Sequence, residues 1–341
     1  MQSGANMLAW LTDNAPECDV VVSTRIRLAR NLADIPFPAR IRRMDDIEAV
    51  HSRARECLTK SPTFTYERLS DLTELDKRAL VEGHVISSDL ARSKYGGLII
   101  SQDQSLSVMI MEEDHYRLQG LGAGMSLFAT YNLVDKLDQM LASEVKYAFS
   151  DELGFLTSCP TNVGTGMRAS LMLHLPALSA VKGIPRISQM IGKMGMTVRG
   201  AFGEGSTAAG AFYQISNQVT LGVTEKEILM HLLSIANKVI DFERDARKEL
   251  YNSMGTALED KIWRAVGILK YARRISDAEA QKLISDVAFG VSLGIVKDMT
   301  SGQLYRIMMN ARPAILASAS GPQQAQDRDA ARADMLRQAF S

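Results

Sequence analysis

The chain has 341 residues, of which 46% are apolar and 23% are charged. This composition is typical of a globular protein, and the length is enough for a large core and predicts two domains. Lysine and arginine together number 39, as do aspartate and glutamate, so the net charge is zero. A chain without excess charge lacks the overall field that draws proteins to nucleic acids or anionic membranes, so charged partners must be recognised locally.

The cysteines and the apolar stretches indicate the cellular compartment in which the protein works. Cys18, Cys57 and Cys159 are widely spaced and odd in number, which predicts neither a disulfide framework nor a metal site. The first thirteen residues lack the basic start and apolar run of a signal peptide. The most apolar stretch, 171–184, is interrupted by polar residues and a proline, so it is too short to span a bilayer. We therefore expect a cytoplasmic protein.

Short β-like runs mixed with helices occupy the first two-thirds of the chain. Because the connections between these runs are short, they favour an antiparallel sheet over a doubly wound parallel one. The predicted strands are 97–101, 106–111, 196–199, 211–216 and 218–221, with Asn217 turning between the last two. The predicted helices are 45–58, 121–143 and 168–175. The expected fold class is α+β, an antiparallel sheet flanked by helices and followed by a small all-helical domain.

After residue 222 the pattern becomes helical. Thr224 and Glu227 have the spacing of a capping box that opens a helix through about residue 252. Ser276 opens another helix, and Ser301 starts a third that Pro313 ends. We place a domain boundary between residues 1–254 and 255–341.

Apolar residues recur at helical spacing in the second of these domains. They are Ile262, Val266 and Leu269. They either pair with a second subunit or pack inside the chain.

Several arginines lie beside other polar motif residues. Arg25 and Arg27 alternate after the extended run 20–24, so both project from one face. Converging guanidinium groups form a clamp for a triphosphate, because each binds phosphate bidentately. The sequence has neither a G-x-x-x-x-G-K-[ST] nor a G-x-G-x-x-G segment, which excludes P-loop and Rossmann phosphate cradles. Taken alone, each arginine reads as a solvated surface charge, so the prediction rests on their occurring together.

Carboxylates occur in two further segments. The triplet 112–114 follows strand 106–111, and alternation along the strand places Glu113 on the face of Met111. Glu204 lies between two glycines, in a loop free to approach a ligand. Two carboxylates facing a guanidinium fix its orientation, and one can take its proton during phosphoryl transfer. A plain acidic end to the strand is the alternative for the triplet.

Segment 159–166, Cys-Pro-Thr-Asn-Val-Gly-Thr-Gly, is a cysteine entering a turn, nine residues before Arg168. A thiolate beside a cation and hydroxyl groups suits a positively charged substrate, whereas an isolated Cys159 is an inert core residue. His84 and His115 lie near these segments. Each either contacts a nucleotide or satisfies a buried backbone group.

Together these segments resemble the phosphagen (guanidino) kinase family, whose members move the γ-phosphoryl of ATP onto a guanidinium nitrogen. The Cys-Pro-Thr-Asn-x-Gly-Thr block resembles the family's signature, and the Glu-Glu-Asp-His and Arg-Gly-x-x-Gly-Glu blocks occur in the family's order. The match covers about residues 19–250 and implies an antiparallel sheet wrapped by helices. One departure is Met111, where the family usually has asparagine; it affects fine positioning rather than the chemistry.

The resemblance implies specific roles. Glu113 is implied as the catalytic base, Glu204 as the second carboxylate for the guanidinium, and Cys159 as the nearby thiolate. ATP and Mg²⁺ are the implied cofactors, and no protein metal site is predicted. The residues implied to contact the nucleotide are Ser23, Thr24, Arg25, Ile26, Arg27, His84, Arg117, Arg168, Ala169, Ser170, Leu171, Met172, Arg199, Gly200, Ala201, Phe202, Gly203 and Glu204.

Two differences set this chain apart from kinases of small guanidino compounds. Those carry a helical domain ahead of the Ser-x-Arg-x-Arg block, whereas here 22 residues precede it, and an open site suits a side chain presented on another protein. Near the C-terminus, Arg328, Asp329 and Arg332 resemble a motif of bacterial protein-arginine kinases, implied to form an allosteric phosphoarginine pocket. An ordinary charged helix face is the alternative, and segment 244–247 is a near-copy.

The resemblance therefore implies an ATP-dependent kinase of protein arginine residues that marks proteins for Clp-type proteolysis and regulates a stress response. Implied partners are arginine-bearing protein substrates, a zinc-containing activator protein, a heat-shock repressor, a Clp ATPase and a second copy of the chain in a dimer or larger oligomer. Neither nucleic acid nor membrane is an expected partner. The alternatives are a kinase of free arginine or another small guanidino compound, and a non-catalytic phosphoarginine-binding protein.

Overall fold

An eight-stranded antiparallel sheet organises the first two-thirds of the chain. The computed structural model describes residues 8–200, 209–320 and 325–341. Helices flank the sheet, and further helices follow it along the chain. The predicted α+β class, with an antiparallel sheet and a helical C-terminal region, is confirmed.

The sheet has the strand order β2-β3-β4-β5-β1-β8-β10-β9, and every neighbouring pair is antiparallel. A separate two-stranded hairpin, β6–β7, lies between α4 and β8 in the sequence. The strands are β1 (Val21–Arg30), β2 (Phe64–Arg68), β3 (Gly97–Ser101), β4 (Leu106–Ile110), β5 (Tyr116–Ala123), β6 (Phe149–Ser150), β7 (Gly154–Phe155), β8 (Met167–His174), β9 (Met196–Gly200) and β10 (Phe212–Asn217).

The helices begin largely where the sequence places capping residues. The capping box at Thr224 is present: Glu227 N donates to the Thr224 hydroxyl, and Thr224 N donates to the Glu227 carboxylate. The helices are α1 (Met44–Leu58), α2 (Glu74–Glu82), α3 (Ser88–Arg92), α4 (Leu127–Ala142), α5 (Pro176–Ala180), α6 (Ile184–Lys193), α7 (Glu225–Met254), α8 (Thr256–Tyr271), α9 (Asp277–Ser292), α10 (Ser301–Asn310), α11 (Pro313–Ser320) and α12 (Ala325–Ala339).

Helix α4 closes one face of the central strands β1 and β5. A Cβ atom at Gly120 would lie 2.5 Å from the Val134 side chain, and one at Gly122 would lie 2.4 Å from the Ser126 hydroxyl. Only glycine therefore lets the helix approach this closely. The side chains of Arg25, Arg27 and Arg117 project from the opposite face of these two strands.

Two predicted helices are partly or wholly wrong. Segment 168–175 belongs to strand β8, held between β1 and β10 on both sides. Its Met, Ala and Leu residues favour helix, but pairing with two neighbouring strands outweighs that local preference. Segment 121–143 begins as the end of β5, and its helix starts only at Leu127, after Gly124 with φ +55°.

Two smaller predictions are also corrected. Segment 218–221 is not a strand, and Asn217 ends β10 instead of turning between two strands. Pro313 begins α11, because proline is favoured in the first helical turn, while the preceding helix already ends at Asn310.

The C-terminal helices pack directly against the sheet region. Glu82 at the end of α2 accepts hydrogen bonds from Ala314 N and Ile315 N at the start of α11, at 2.7 and 3.1 Å. Ile262 and Leu269 are fully buried, so they pack within the chain. The division at residue 254 stays a prediction, although α7 does end there.

Within the described ranges, no helix is both long and apolar enough to cross a membrane.

Exposed aromatic side chains on α8 include Trp263 and Tyr271.

Candidate active site

Strand register brings arginines from several strands onto the sheet face opposite α4. Arg27 in β1 lies directly opposite Arg168 in β8, and Arg117 in β5 lies opposite Ala29, two residues further along β1. Arg199 in β9 lies opposite Gln214 in β10. Because directly paired residues of antiparallel strands share a face, these side chains form one surface, here called the arginine face. Its arginines are Arg25, Arg27, Arg117, Arg168 and Arg199.

The arginine face brings several like charges together: four of its arginines are half-buried, and Arg199 is exposed. Burial lowers the pKa of Arg25 to about 10, and repulsion from Arg117 and Arg168 adds to the shift. Burial also lowers the pKa of Arg27 well below its usual range, again with neighbouring arginines contributing. Among the described residues, the buried Nε atoms of Arg27 and Arg168 have no hydrogen-bond partner. Buried donors without partners, within a cluster of like positive charges, are suited to a polyanion.

One carboxylate, Glu112, partly neutralises this cluster. Its side chain is 3% exposed, and its oxygens lie 2.8 and 2.6 Å from Arg117 Nη1. The Ser87 hydroxyl, at the N-cap of α3, also donates to Glu112. The sequence patterns indicated no individual role for Glu112 or Ser87. The capping position of Ser87 was readable from the sequence, but its contact with Glu112 was not.

The neighbouring carboxylate, Glu113, points into solvent-accessible space near the same arginine. Its side chain is 44% exposed and its Oε2 lies 3.6 Å from Arg117 Nη2. Burial raises the pKa of Glu113, with Asp114 adding to the rise and Arg117 opposing it. A carboxylate with a raised pKa is a better proton acceptor than an ordinary one.

The predicted reason for the orientation of Glu113 is wrong. Strand β4 ends at Ile110, and Met111 has φ +60°, so alternation does not continue to Glu113. The left-handed conformation favours asparagine over methionine, which gives a physical reason for the asparagine usual here in the resembling family. The Met111 side chain is buried, so its packing partly offsets the strained backbone.

A buried hydrogen-bond network joins the loop that contains Glu113 to the loop that contains Cys159. Asp114 Oδ1 accepts from Asn31 Nδ2 at 2.6 Å and from Ser158 N at 2.7 Å. Asn31 Oδ1 accepts from His115 N at 2.9 Å, and His115 Nδ1 accepts from Leu32 N at 3.0 Å. His115 therefore satisfies backbone groups, which was one of its two predicted roles. The network holds Glu113 and Cys159 in a constant relationship.

The cysteine opens a tight turn. Cys159 precedes the 3₁₀ turn Pro160–Asn162, and its Sγ lies 3.0 Å from the Thr161 hydroxyl. Gly164 has φ +111°, and a Cβ there would lie 2.2 Å from the Thr220 carbonyl oxygen, so glycine is required. The Thr220 hydroxyl in turn donates to the carbonyls of Thr161 and Val163.

These parts meet around a cavity of about 140 Å³. Arg27, Arg117 and Arg168 line it together with Glu113 and Cys159. An adjoining cavity of about 250 Å³ extends from the same turn; the residues lining it include Thr161, Asn162, Arg168, Arg199 and Thr220. Cations, a carboxylate and a thiol thus face one space, an arrangement that can hold a polyphosphate next to a cationic acceptor.

Other predicted nucleotide contacts divide between the two faces of the sheet. Ser23, Ser170 and Met172 alternate with core-facing residues and lie on the side of the arginine face. The side chains of Thr24, Ile26, Ala169 and Leu171 are buried on the opposite side. Gly200 ends β9, and Ala201, Phe202, Gly203 and Glu204 lie outside the described residues. The nucleotide roles of all these residues stay predictions.

His84 lies beside the arginine face. Burial lowers its pKa to about 3, and the charges of Arg25 and Arg312 contribute. The imidazole is therefore neutral at physiological pH, so it can accept or donate one hydrogen bond without adding charge to the cluster.

The C-terminal motif has an asymmetric environment. Arg332 is 2% exposed and donates to the carbonyls of Ala311 and Ile275 and to Asp329. Arg328 is only half-buried. Arg332 thus joins α12 to the ends of neighbouring helices, and the phosphoarginine role of Arg328, Asp329 and Arg332 stays a prediction. In the near-copy 244–247, both arginines pair with Asp19.

Possible metal ligands do not cluster in the described part of the chain: no group of three or more His, Cys, Asp or Glu side chains is placed to hold an ion.

Family models match most of the chain. Residues 46–246 match "ATP:guanido phosphotransferase, C-terminal catalytic domain", and residues 255–341 match "Protein-arginine kinase McsB C-terminal domain".

Relatives with known names match almost the whole chain. The protein-arginine kinase of Bacillus subtilis is 40% identical over 336 residues, covering 97% of this chain and 92% of the relative. That of Symbiobacterium thermophilum is 42% identical over 339 residues, covering 97% and 96%. The protein-arginine kinase of Bacillus pumilus is 41% identical over 335 residues, covering 96% and 92%.

Solved structures of two kinases are similar to this chain. A lombricine kinase has a TM-score of 0.61 at 25% identity and covers 68% of each chain. The duplicated taurocyamine kinase of Schistosoma mansoni has a TM-score of 0.59 at 26% identity, covering 76% of this chain and 38% of that one. From these matches, the chain is a member of the ATP:guanido phosphotransferase family and groups with its protein-arginine kinases.

Proposed function

We propose that this protein transfers the γ-phosphoryl group of ATP to arginine side chains of other proteins. Relatives sharing about 40% of its residues over nearly the whole length are named protein-arginine kinases. The single observation that carries the proposal is the cavity in which Glu113 and Cys159 face the same space as three arginines. A phosphoryl donor and a guanidinium acceptor both find complementary charges there.

The arginine face binds the polyphosphate of the donor. Guanidinium groups are planar, permanently charged donors that match phosphate oxygens bidentately. Arg27 and Arg168 have buried Nε atoms without partners in the described structure, and phosphate oxygens would supply acceptors for them. Mg²⁺ enters as part of the substrate, bound to the phosphates of ATP.

Glu113 acts on the acceptor. It accepts a proton from the terminal nitrogen of the target guanidinium while that nitrogen's lone pair attacks the γ-phosphorus. An N–P bond forms, the bond to the bridging oxygen breaks, and ADP leaves with that electron pair. Glu204 is the proposed second carboxylate that aligns the guanidinium, and the Cys159 sulfur stabilises its positive charge. Alignment contributes most of the rate, because a bound acceptor removes the entropy cost of a bimolecular encounter.

We further propose a division of the chain into two functional domains and a set of partners. Residues 1–254 form the phosphotransferase domain, and residues 255–341 form a helical domain for dimerisation and for binding phosphoarginine at Arg328, Asp329 and Arg332. Phosphorylation marks client proteins for a Clp ATPase in the cytoplasm as part of a stress response. A zinc-containing activator protein and a heat-shock repressor are the proposed further partners. Support for these partners comes from the family resemblance.

Transfer to a denatured protein and to free arginine tests the proposal. With labelled ATP, and at neutral or alkaline pH to preserve the acid-labile P–N bond, we expect label on the protein and little on free arginine. Glu113→Gln should abolish transfer and leave the dissociation constant for ATP within about twofold, since it removes the base and not the phosphate ligands. Faster transfer to free arginine, or normal turnover in Glu113→Gln, would contradict the proposal.

A further inference from the structure

A third cavity, of about 340 Å³, lies on the other side of the cysteine turn, between hairpin β6–β7 and the start of α7. We call it the hairpin groove. Phe149, Leu153 and Phe155 line it from the hairpin, and Leu221 lines it from the segment before α7. Its acidic residues are Glu152, Glu225 and Glu227.

The hairpin groove presents apolar side chains to solvent. Phe149 is 55% exposed, Leu153 is 41% exposed and Leu221 is 50% exposed. Three large apolar groups around one concave surface are typical of an interaction site, whereas single exposed apolar residues are common everywhere. The groove therefore has the apolar component of a binding surface.

The exposed phenylalanine is held in place from below. Its ring contacts the Phe155 ring edge-to-face at 5.3 Å between centroids. The Arg30 guanidinium lies 3.5 Å from the Phe155 centroid, and Asp138 binds Arg30 in a buried ion pair. A side chain fixed in this way loses little entropy when a partner covers it. Phe149 is thus pre-organised for contact.

The rim of the groove is acidic. Glu152 lies in the turn of the hairpin, and Glu225 and Glu227 lie in the first turn of α7. Among the described residues that line the groove, there is no lysine or arginine. The surface is therefore complementary to a segment that is both apolar and basic.

The groove is continuous with the candidate active site through the cysteine turn. Gly164, Thr165 and Thr220 line the groove, while Thr161 and Asn162 of the same turn line the cavity that contains Glu113 and Cys159. Thr220 joins the two sides because its hydroxyl donates to the Thr161 carbonyl. A chain bound in the groove is therefore delivered to the reactive cavity around a single turn.

We propose that the hairpin groove binds the segment of the protein substrate that flanks the target arginine, and selects extended segments rich in apolar and basic residues. This inference rests on the proposed protein-arginine kinase activity and deepens it by naming the substrate class. Unfolded polypeptides expose apolar residues that folded proteins bury. A groove of this composition thus favours unfolded clients over free arginine, which has no flanking chain.

Two synthetic peptides of equal length, each with one arginine, test the inference. One has leucine, phenylalanine and lysine around the arginine; the other has glycine and serine. For Phe149→Ala, we expect the KM of the apolar-basic peptide to rise about tenfold, with kcat and the KM for ATP within about twofold. The KM of the glycine-serine peptide should not change.

Matched controls separate the groove from general effects. Phe242 in α7 is also exposed, at 44%, and does not line the groove, so Phe242→Ala should leave both peptides unaffected. Glu152→Lys should raise the KM of the apolar-basic peptide, whereas Glu249→Lys, on the exposed surface of α7, should not. Equal changes for both peptides, or equal effects of Phe149→Ala and Phe242→Ala, would overturn the inference.

Measuring peptide binding in a variant that cannot transfer phosphate tests the groove independently of the proposed kinase activity. Fluorescence anisotropy of the labelled apolar-basic peptide is measured with Glu113→Gln and with the double variant Glu113→Gln, Phe149→Ala. Weaker binding by the double variant supports the groove, even if no peptide is phosphorylated by the unmodified protein. Unchanged peptide binding, with a smaller mass for Phe149→Ala by light scattering, would overturn it in favour of an interface between copies of this chain.

Discussion

Replacing Glu112 by glutamine should destabilise the protein strongly, because this carboxylate is buried among arginines. Its side chain is 3% exposed and both oxygens lie within 3 Å of Arg117 Nη1. Its charge also opposes the depression of the pKa of Arg27 by burial and by neighbouring arginines. Glutamine keeps the shape and one acceptor, so the change removes charge and leaves the volume nearly unaltered.

The expected loss follows from breaking a buried ion pair. Removing one partner of such a pair leaves an uncompensated buried charge and costs about 3–5 kcal/mol. The retained amide oxygen can still accept from Arg117 or Ser87, so we expect a decrease of about 3 kcal/mol in the free energy of unfolding. Saturating ATP should stabilise Glu112→Gln more than the unmodified protein, because phosphate oxygens replace the lost negative charge.

Urea denaturation followed by circular dichroism, with and without ATP, measures both effects. Glu113→Gln is the matched control, since the Glu113 side chain is 44% exposed and lies 3.6 Å from the Arg117 guanidinium. An exposed pair contributes about 1 kcal/mol or less, so this variant should keep its stability while losing phosphoryl transfer. If Glu112→Gln is as stable as Glu113→Gln, or gains nothing extra from ATP, the neutralising role is refuted.

Three further predictions concern single residues. The pKa of His84 is about 3 in the folded protein, whereas a histidine in the unfolded chain has a pKa near 6.5. Below about pH 6.5 the unfolded chain therefore binds a proton that the folded protein does not. The free energy of unfolding should then fall by about 1.4 kcal/mol for each pH unit. Asparagine suits the backbone at φ +61°, so His84→Asn should remove this pH dependence without straining the chain. Urea titrations between about pH 6.5 and 4 should show proton uptake on unfolding reduced by up to one; unchanged uptake would contradict the depressed pKa of His84. Arg332→Ala should lower the free energy of unfolding by about 3 kcal/mol, since it leaves buried acceptors unpaired, while the half-buried Arg328→Ala should cost under about 1 kcal/mol; equal costs by chemical denaturation would argue against the buried role. Gly164→Ala should reduce transfer at least about tenfold by displacing the turn against Thr220, and wild-type activity in that variant would show that the turn tolerates a side chain.

Local signals in the sequence predicted much of the secondary structure. The capping box at Thr224 and the N-cap at Ser276 form as expected, because their hydrogen bonds join residues only three apart. The strand at 97–101 also forms with the predicted bounds. Segment 168–175 was mistaken for a helix because its pairing partners in β1 and β10 are distant in the chain. Propensity reports the local preference alone, and pairing with two strands decides the outcome.

By itself, the sequence determined which chemical groups are available: guanidinium donors for phosphate, carboxylates for a guanidinium, and a cysteine in a glycine-rich turn. Only the tertiary structure decided that Arg117, Arg27 and Arg168 lie side by side, because that requires β1 to pair between β5 and β8 in one particular register. It also decided that Glu112 is buried and Glu113 is accessible, since the chain leaves the strand through a left-handed turn at Met111. Strand register and the burial of individual side chains depend on the packing of the whole core, so neither can be read from a short segment.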